Sequence, residues 1–225
     1  MNAASFQPGI VAGSLFTVFG SGFRPAPGVT GAASIPLPTV LDEVAVTVNG
    51  IAVPLLAVAN GNGQEQINAQ APFTLSGDTV AVTVRRAGAT GNSVEVPRLD
   101  AQPAIFTSGG PAIVVRAADN TLVTPGRPAR RDEFVYFYAN GLGAVDSPPL
   151  PGQGGPSSPL ARLRAPVTVT LDGVPCEVQF AGLAPGLVGV YQVNVRVAAA
   201  VPPGTKPLVI AVGGVSSPAA MVPVE

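Results

Sequence analysis

Four segments of this chain occur twice in the same order, and that duplication constrains the fold more than any other feature. Phe16 to Phe23 aligns with Val135 to Leu142, and Val46 to Ile51 with Val169 to Val174. Gln66 to Gln70 aligns with Gln192 to Arg196, and Val80 to Val84 with Leu208 to Val212. The offset between copies grows from 119 to 128 residues, as it does when loops lengthen between fixed elements. A 225-residue chain with two such copies divides into units of about 100 residues, an ordinary domain size. We expect a first domain over 1–100 with an extended N-terminal segment, a connecting hairpin segment over 101–127, and a second domain over 128–225.

The repeated segments read as strands. Val46-Thr47-Val48 alternates apolar and polar residues and runs into Asn49-Gly50, a strong hairpin signal. Val80 to Val84, Val167 to Leu171 and Leu208 to Val212 place branched residues two apart, the period that lines one face of a sheet. No stretch long enough for a helix carries an apolar stripe at helical spacing free of Pro and Gly. The 27 Gly and 25 Pro punctuate the chain without a three-residue period, so collagen is excluded. Short strands separated by turn residues predict an all-β chain of sandwiches. Val46, Val48, Val80, Val82 and Val84 are expected to face one core. Val167, Val169, Leu171, Leu208, Ile210 and Val212 are expected to face the other. Between the copies, Ala104-Ile105, Ala112 to Val115 and Leu122-Val123 are too apolar for a solvated linker, and Asp119-Asn120 supplies a turn. This stretch predicts a hairpin packed on one or both domains.

Composition narrows function by what it removes. With no His, neither a Ser-His-Asp triad nor an imidazole metal site can form. Cys176 is the single cysteine, which excludes an intramolecular disulfide and a thiolate zinc cluster. Net charge is −1 and no basic run exceeds a pair, so the positive stripe of a nucleic-acid binder is absent. No apolar run approaches a membrane span of about 20 residues. The first residues have neither a basic region nor the long apolar run of a secretory leader. Charged residues are only 11%, and Lys206 is the single lysine, a profile that points to an exported module. We therefore expect an extracellular or cell-surface setting, with any leader removed or outside this sequence.

Few residues offer chemistry. Asp42-Glu43 and Arg131-Asp132-Glu133 hold the close carboxylates, but neighbours on a strand point to opposite faces, so they read as solvated charges. Asn60 to Glu65 offers loop oxygens with one carboxylate, too few for calcium. Cys176 aligns with Val53 and reads as a small core side chain. The candidate binding residues are Tyr136 and Tyr138, which alternate with Phe137 and share a face, and the amides Asn68 and Asn194, at equivalent places in the two copies. Gln66 and Gln192 accompany those amides. No catalytic group, cofactor or metal is expected.

The first copy's Phe19-Gly20-Ser21-Gly22-Phe23, followed by Val46-Thr47-Val48-Asn49-Gly50, resembles the immunoglobulin-like IPT/TIG domain; the second copy has Ala139-Asn140-Gly141 at the glycine motif. More narrowly, Asn2 to Phe6, Pro36 to Thr39, Gln66 to Gln70, Asn140 to Ala144 and Phe180 to Gly186 are similar to the Solibacter-type C-terminal family of secreted acidobacterial proteins. The resemblance implies tandem Ig-like sandwiches and secretion only, and carries no activity over. Taken together, we expect a non-catalytic structural or display module, part of a larger surface protein. The alternatives are a carbohydrate- or protein-binding adhesion module and a self-assembling filament subunit. Residues 2–11 are extended and apolar; they either fold back on their own chain or add to the edge of a neighbour.

Overall fold

The structure, a computed structural model, describes residues 1–225. It is all-β. The first half contains β1 (Ile10–Val11), β2 (Leu15–Gly20), β3 (Gly28–Gly31), β4 (Val44–Val48), β5 (Ile51–Ala52), β6 (Leu55–Gly61), β7 (Gln64–Gln70), β8 (Thr79–Arg86) and β9 (Ala89–Leu99). The second contains β10 (Ala104–Ile105), β11 (Val114–Arg116), β12 (Phe134–Asn140), β13 (Val167–Leu171), β14 (Val174–Leu183), β15 (Tyr191–Arg196), β16 (Gly204–Val212), β17 (Val215–Ser216) and β18 (Ala220–Val224).

In the first half, a sheet ordered β1-β9-β8-β4-β5 and a sheet ordered β2-β7-β6-β3 close over one core of 13 buried residues. Val44, Val46, Val48, Val80 and Val82 come from one sheet and Phe16, Val58, Ile67 and Ala69 from the other. Burying each such branched or aromatic side chain contributes about 1.5–3 kcal/mol, which explains why alternation dictates the register. Turn chemistry agrees with it. Asn49 and Gly50 have φ of +50° and +77°, both in the left-handed region that a two-residue hairpin needs.

The second half repeats this ladder around a larger core of 26 buried residues, but as one nine-stranded sheet ordered β10-β12-β15-β14-β13-β16-β17, with β11 on β12 and β18 on β16. The long strand β14 makes the connection. Its start pairs with β13 and its remainder, from Glu177 on, with β15, and an extra residue at Gln179 bends it within that second pairing. The sheet curls over its core instead of splitting into two layers. The same crossing in the first half is interrupted at Val53-Pro54, where proline has no N–H for the ladder. Val84 and Val167 sit at the margins of their cores, and the other residues expected inside are buried.

The connecting stretch belongs to the second half. β10 and β11 both lie along the edge of β12, and Val115 bridges Leu122 across a turn containing Asn120. Ile105, Ala112, Val114 and Val123 enter the larger core. Arg116, 5% exposed, fastens this stretch by donating to the carbonyls of Arg127 and Pro128 and pairing with Glu133.

Buried amides join the halves, alongside the backbone bond from Leu37 N to Gly152 O and Phe73, which packs against the larger core. Asn140 bonds the backbone of Leu15 and Oδ1 of Asn2, Asn2 donates to the carbonyl of Gln102, and Gln70 accepts from Gly152 N at 2.8 Å. Residues 2–11 fold back: Asn2 bridges Phe16, and β1 pairs in parallel with the end of β9. A matching parallel bridge joins Ala129 to Val224 in the second half.

Candidate functional site

The outer face of β12, β15 and β14 gathers most of the candidate residues. On β12, Val135, Phe137 and Ala139 point into the core, so Phe134, Tyr136 and Tyr138 face outward. Opposite them on β15, Val193 and Val195 are buried while Gln192 and Asn194 are half-buried. Cross-strand register builds two rows. Tyr136, Asn194 and Phe180 form one, and Tyr138, Gln192 and Gly182 form the next.

Within this face the Tyr136 and Tyr138 rings meet edge to face at 5.8 Å between centroids, a favourable geometry for aromatic quadrupoles. The Tyr136 hydroxyl donates to Oδ1 of Asn120 at 3.1 Å. Partial burial and the neighbouring Tyr138 raise the Tyr136 phenol above its usual range, so the hydroxyl remains neutral at ordinary pH. Gln192 Nε2 donates to Asn194 Oδ1 at 2.8 Å, which orients the Asn194 amide and leaves its own N–H groups uncommitted. The tip of the Phe180 ring reaches over Gly182, where a Cβ would fall 2.8 Å from its Cζ. The guanidinium of Arg162 covers that ring at 5.2 Å. The result is a flat surface of rings and amide groups carrying neutral polar groups at its centre, with charge at its rim in Arg162 and the Arg196–Asp132 pair. Such a surface can stack against apolar faces and exchange hydrogen bonds with neutral polar groups.

Three of the four candidates therefore meet: Tyr136, Tyr138 and Asn194. Asn68 does not join them. It lies on β7 in the first half, where its Oδ1 accepts from the Thr17 hydroxyl at 2.8 Å. Thr17 stands where Tyr136 stands in the second half, and Ala57 where Phe180 stands, so the first copy lacks the rings. The connecting stretch, expected to pack on one or both domains, does not cover the face of the tyrosines. It instead extends the sheet sideways from β12, because its backbone groups satisfy the free edge, and only the Asn120 turn reaches the face.

Phe180 and Arg162 were not candidates. The extra residue at Gln179 reverses the alternation of β14, so Val178 faces with Val195 and Phe180 with Asn194. Strict counting by two would have kept Val178 and Phe180 together. The equivalent irregularity at Leu56 in the first copy is the signal that a repeat alignment carries.

The remaining sequence candidates are structural. Asp42 and Glu43 are not strand residues but the centre of a tight turn, with φ of +53° and +63°, and they pair with Arg24 and Arg86. Asn60 Oδ1 accepts from Gly63 N within its hairpin. Glu65 accepts from the N–H groups of Arg24 and Phe23, and these bonds hold its carboxyl below the usual range. Cys176 is a buried free thiol opposite Val169, and burial raises its pKa. No group of three or more His, Cys, Asp or Glu comes together that could hold a metal.

Neither a protein-family model nor a curated protein matches the sequence. Among solved structures, the chain is similar to SGBP-B of the Bacteroides ovatus mixed-linkage glucan utilization locus, solved in complex with a mixed-linkage heptasaccharide. That likeness has 9% identity and a TM-score of 0.38, over 99% of this chain and 45% of that one. The Yersinia pseudotuberculosis adhesin InvE is similar at 14% identity and a TM-score of 0.25, over 97% of this chain and 56% of that one. InvD of the same organism is similar at 16% identity and a TM-score of 0.25, over 96% and 54%. The chain spans about half the length of each of these structures. Likenesses this remote establish neither fold nor function; the all-β architecture stands on the pairing of its own strands.

Proposed function

We propose that the chain is a non-catalytic extracellular binding module, a tandem of Ig-like domains whose β12–β15–β14 face takes a neutral polysaccharide chain. One observation carries this reading: Tyr136, Tyr138, Gln192 and Asn194 form a single surface of rings and amides, backed by Phe180. Sugar rings present apolar C–H faces and a rim of hydroxyls, which matches rings flanked by uncommitted amide groups. The non-catalytic assignment is supported by the absence of His from the sequence and by the burial of Cys176. Extracellular placement is supported by the low-charge composition.

Affinity electrophoresis against a panel of soluble neutral polysaccharides tests the proposal. Migration is expected to be retarded by at least one polymer, and the retardation lost in Tyr138→Ala with the circular dichroism spectrum unchanged. No retardation across the panel, or retardation that survives Tyr136→Ala and Tyr138→Ala together, overturns it. The buried amide lock around Asn140 favours a second reading, a rigid spacer that displays a larger protein; scattering that shows one fixed arrangement of the halves supports it.

A further inference from the structure

The two halves treat the same pair of strand edges differently. In the second, the stretch ahead of β12 runs along its edge, with Val114 opposite Phe137, Arg116 opposite Val135, and Ala104 opposite Asn140. Pro111 and Ala129 close the other side by parallel bridges to Met221 and Val224 of β18. Side chains of this stretch fill the space between the facing edges; Ile105, Ala112, Val114 and Val123 are no more than 7% exposed.

In the first half, β2 stands where β12 stands and β9 where β18 stands, each next to the corresponding neighbour. Here the N-terminal segment fills only one end. Asn2 bridges Phe16, as Arg116 bridges Val135, and Ile10 and Val11 pair with Arg98 and Leu99. Past that point, Val18 to Gly20 of β2 and Ala89 to Pro97 of β9 have no partner on their outer edges. A groove of about 700 Å³ opens between them, lined by Val18, Phe19, Val84, Val94 and Val96. Val94 is 49% exposed. Edge strands are normally guarded by charge, proline or a covering segment, and between Ala89 and Val96 Glu95 is the one charge.

We propose that this groove is a docking site for an extended segment of another polypeptide, carrying small or branched apolar side chains and running antiparallel to β2. The chemistry of the occupant is read from the second half, where Ala104 to Phe106 and Val114 to Arg116 lie along β12 and the turn between them, closed by the Thr107–Ala112 bridge, crosses to β18. Backbone hydrogen bonds to Phe19 supply affinity, as Phe106 N bonds Tyr138 O in the second half. The Phe19 N–H and C=O point outward as those of Leu15 and Thr17 do, and side chains entering between the sheets supply selectivity.

The probe is a fluorescein-labelled peptide with the sequence of Ala104 to Arg116, titrated with the full chain and followed by anisotropy. Saturable binding is expected. It should weaken about tenfold or more with Val94→Glu, and likewise when alternate peptide amides are N-methylated. Val94 is half exposed, so its variant should keep the parent circular dichroism spectrum. Val215→Glu, on the edge strand β17 of the other half, should bind as the parent does. The proposal is overturned by no saturable binding at millimolar peptide, by binding that persists in Val94→Glu, or by equal loss in Val215→Glu. It is also overturned by a dimer in sedimentation equilibrium that Val94→Glu dissolves, since the occupant would then be a second copy.

Discussion

The side chain of Asn140 pairs with the main chain of Leu15 as a neighbouring strand would. Its Oδ1 accepts from Leu15 N at 3.0 Å and its Nδ2 donates to Leu15 O at 2.8 Å, across 125 residues of sequence. One amide thus satisfies both backbone groups at the start of β2, where no strand of the second half reaches. Asn140→Ala strands the buried Leu15 N–H and leaves the Leu15 carbonyl only its longer bond from Ala3 N, and should destabilise the chain by about 1–3 kcal/mol in urea unfolding. If the two transitions of the halves then separate, the amide is also what couples them.

Gly182 lies under the tip of the Phe180 ring. A Cβ there would come within 2.1 Å of the Ala161 carbonyl oxygen as well as against the ring. Gly182→Ala should cost about 1–3 kcal/mol, because backbone has to move to admit the methyl group. Gly22→Ala makes a control for packing, since nothing lies within 4 Å of its Cβ position and only its φ of +79° is strained. Thermal denaturation of both variants checks the difference, with the larger loss at Gly182.

Tyr191 is fully buried and its hydroxyl donates to the Gly143 carbonyl at 2.7 Å. Burial pushes the phenol up to about 12, against 10.0 when unfolded. A raised value means the neutral form is favoured in the fold. The stabilisation is complete below about pH 10 and is lost as pH rises from there through 12. Stability measured against pH should fall over that window. Tyr191→Phe should reduce the fall, leaving the part that the raised Tyr136 and Cys176 contribute, and cost about 1–3 kcal/mol at neutral pH through the unpaired Gly143 oxygen.

Arg116 serves two carbonyls and Glu133 at once, from a side chain only 6% exposed. Arg116→Ala should cost about 3–5 kcal/mol, the usual loss when one partner of a buried ion pair is removed. Arg116→Lys should not rescue it, because an ammonium lacks the planar fork that reaches three acceptors. Protease cleavage within residues 117–128 should accelerate in both variants.

Much of the fold is legible from residue spacing. Val46, Val48, Val80 and Val82 in one half and Val169, Leu171, Leu208 and Ile210 in the other point inward as their period of two requires. Asn49-Gly50 turns where its left-handed preference allows. What spacing does not show is long-range. The junction depends on Asn2, Gln70 and Asn140, polar residues that look like surface until a partner from the other half meets them. The site was legible on β12 and β15, where alternation is unbroken. It was lost on β14, where a single extra residue at Gln179 shifts the phase and brings Phe180 to the outer face. Asp42-Glu43 shows the reverse error, since two acidic residues carry no obvious signal for a tight turn.

The parallel bridge between Ala129 and Val224 bears on how the chain responds to tension. Two hydrogen bonds hold it, from Ala129 N to Pro223 O at 2.8 Å and from Glu225 N to Ala129 O at 2.9 Å. Strands that run the same way, pulled from opposite ends of the chain, slide past one another under load. Their bonds then carry force together instead of opening one at a time like a zip. β1 and the end of β9 have the same arrangement in the first half. Tension applied across either half therefore meets a clamp that has to shear as a unit before that half opens.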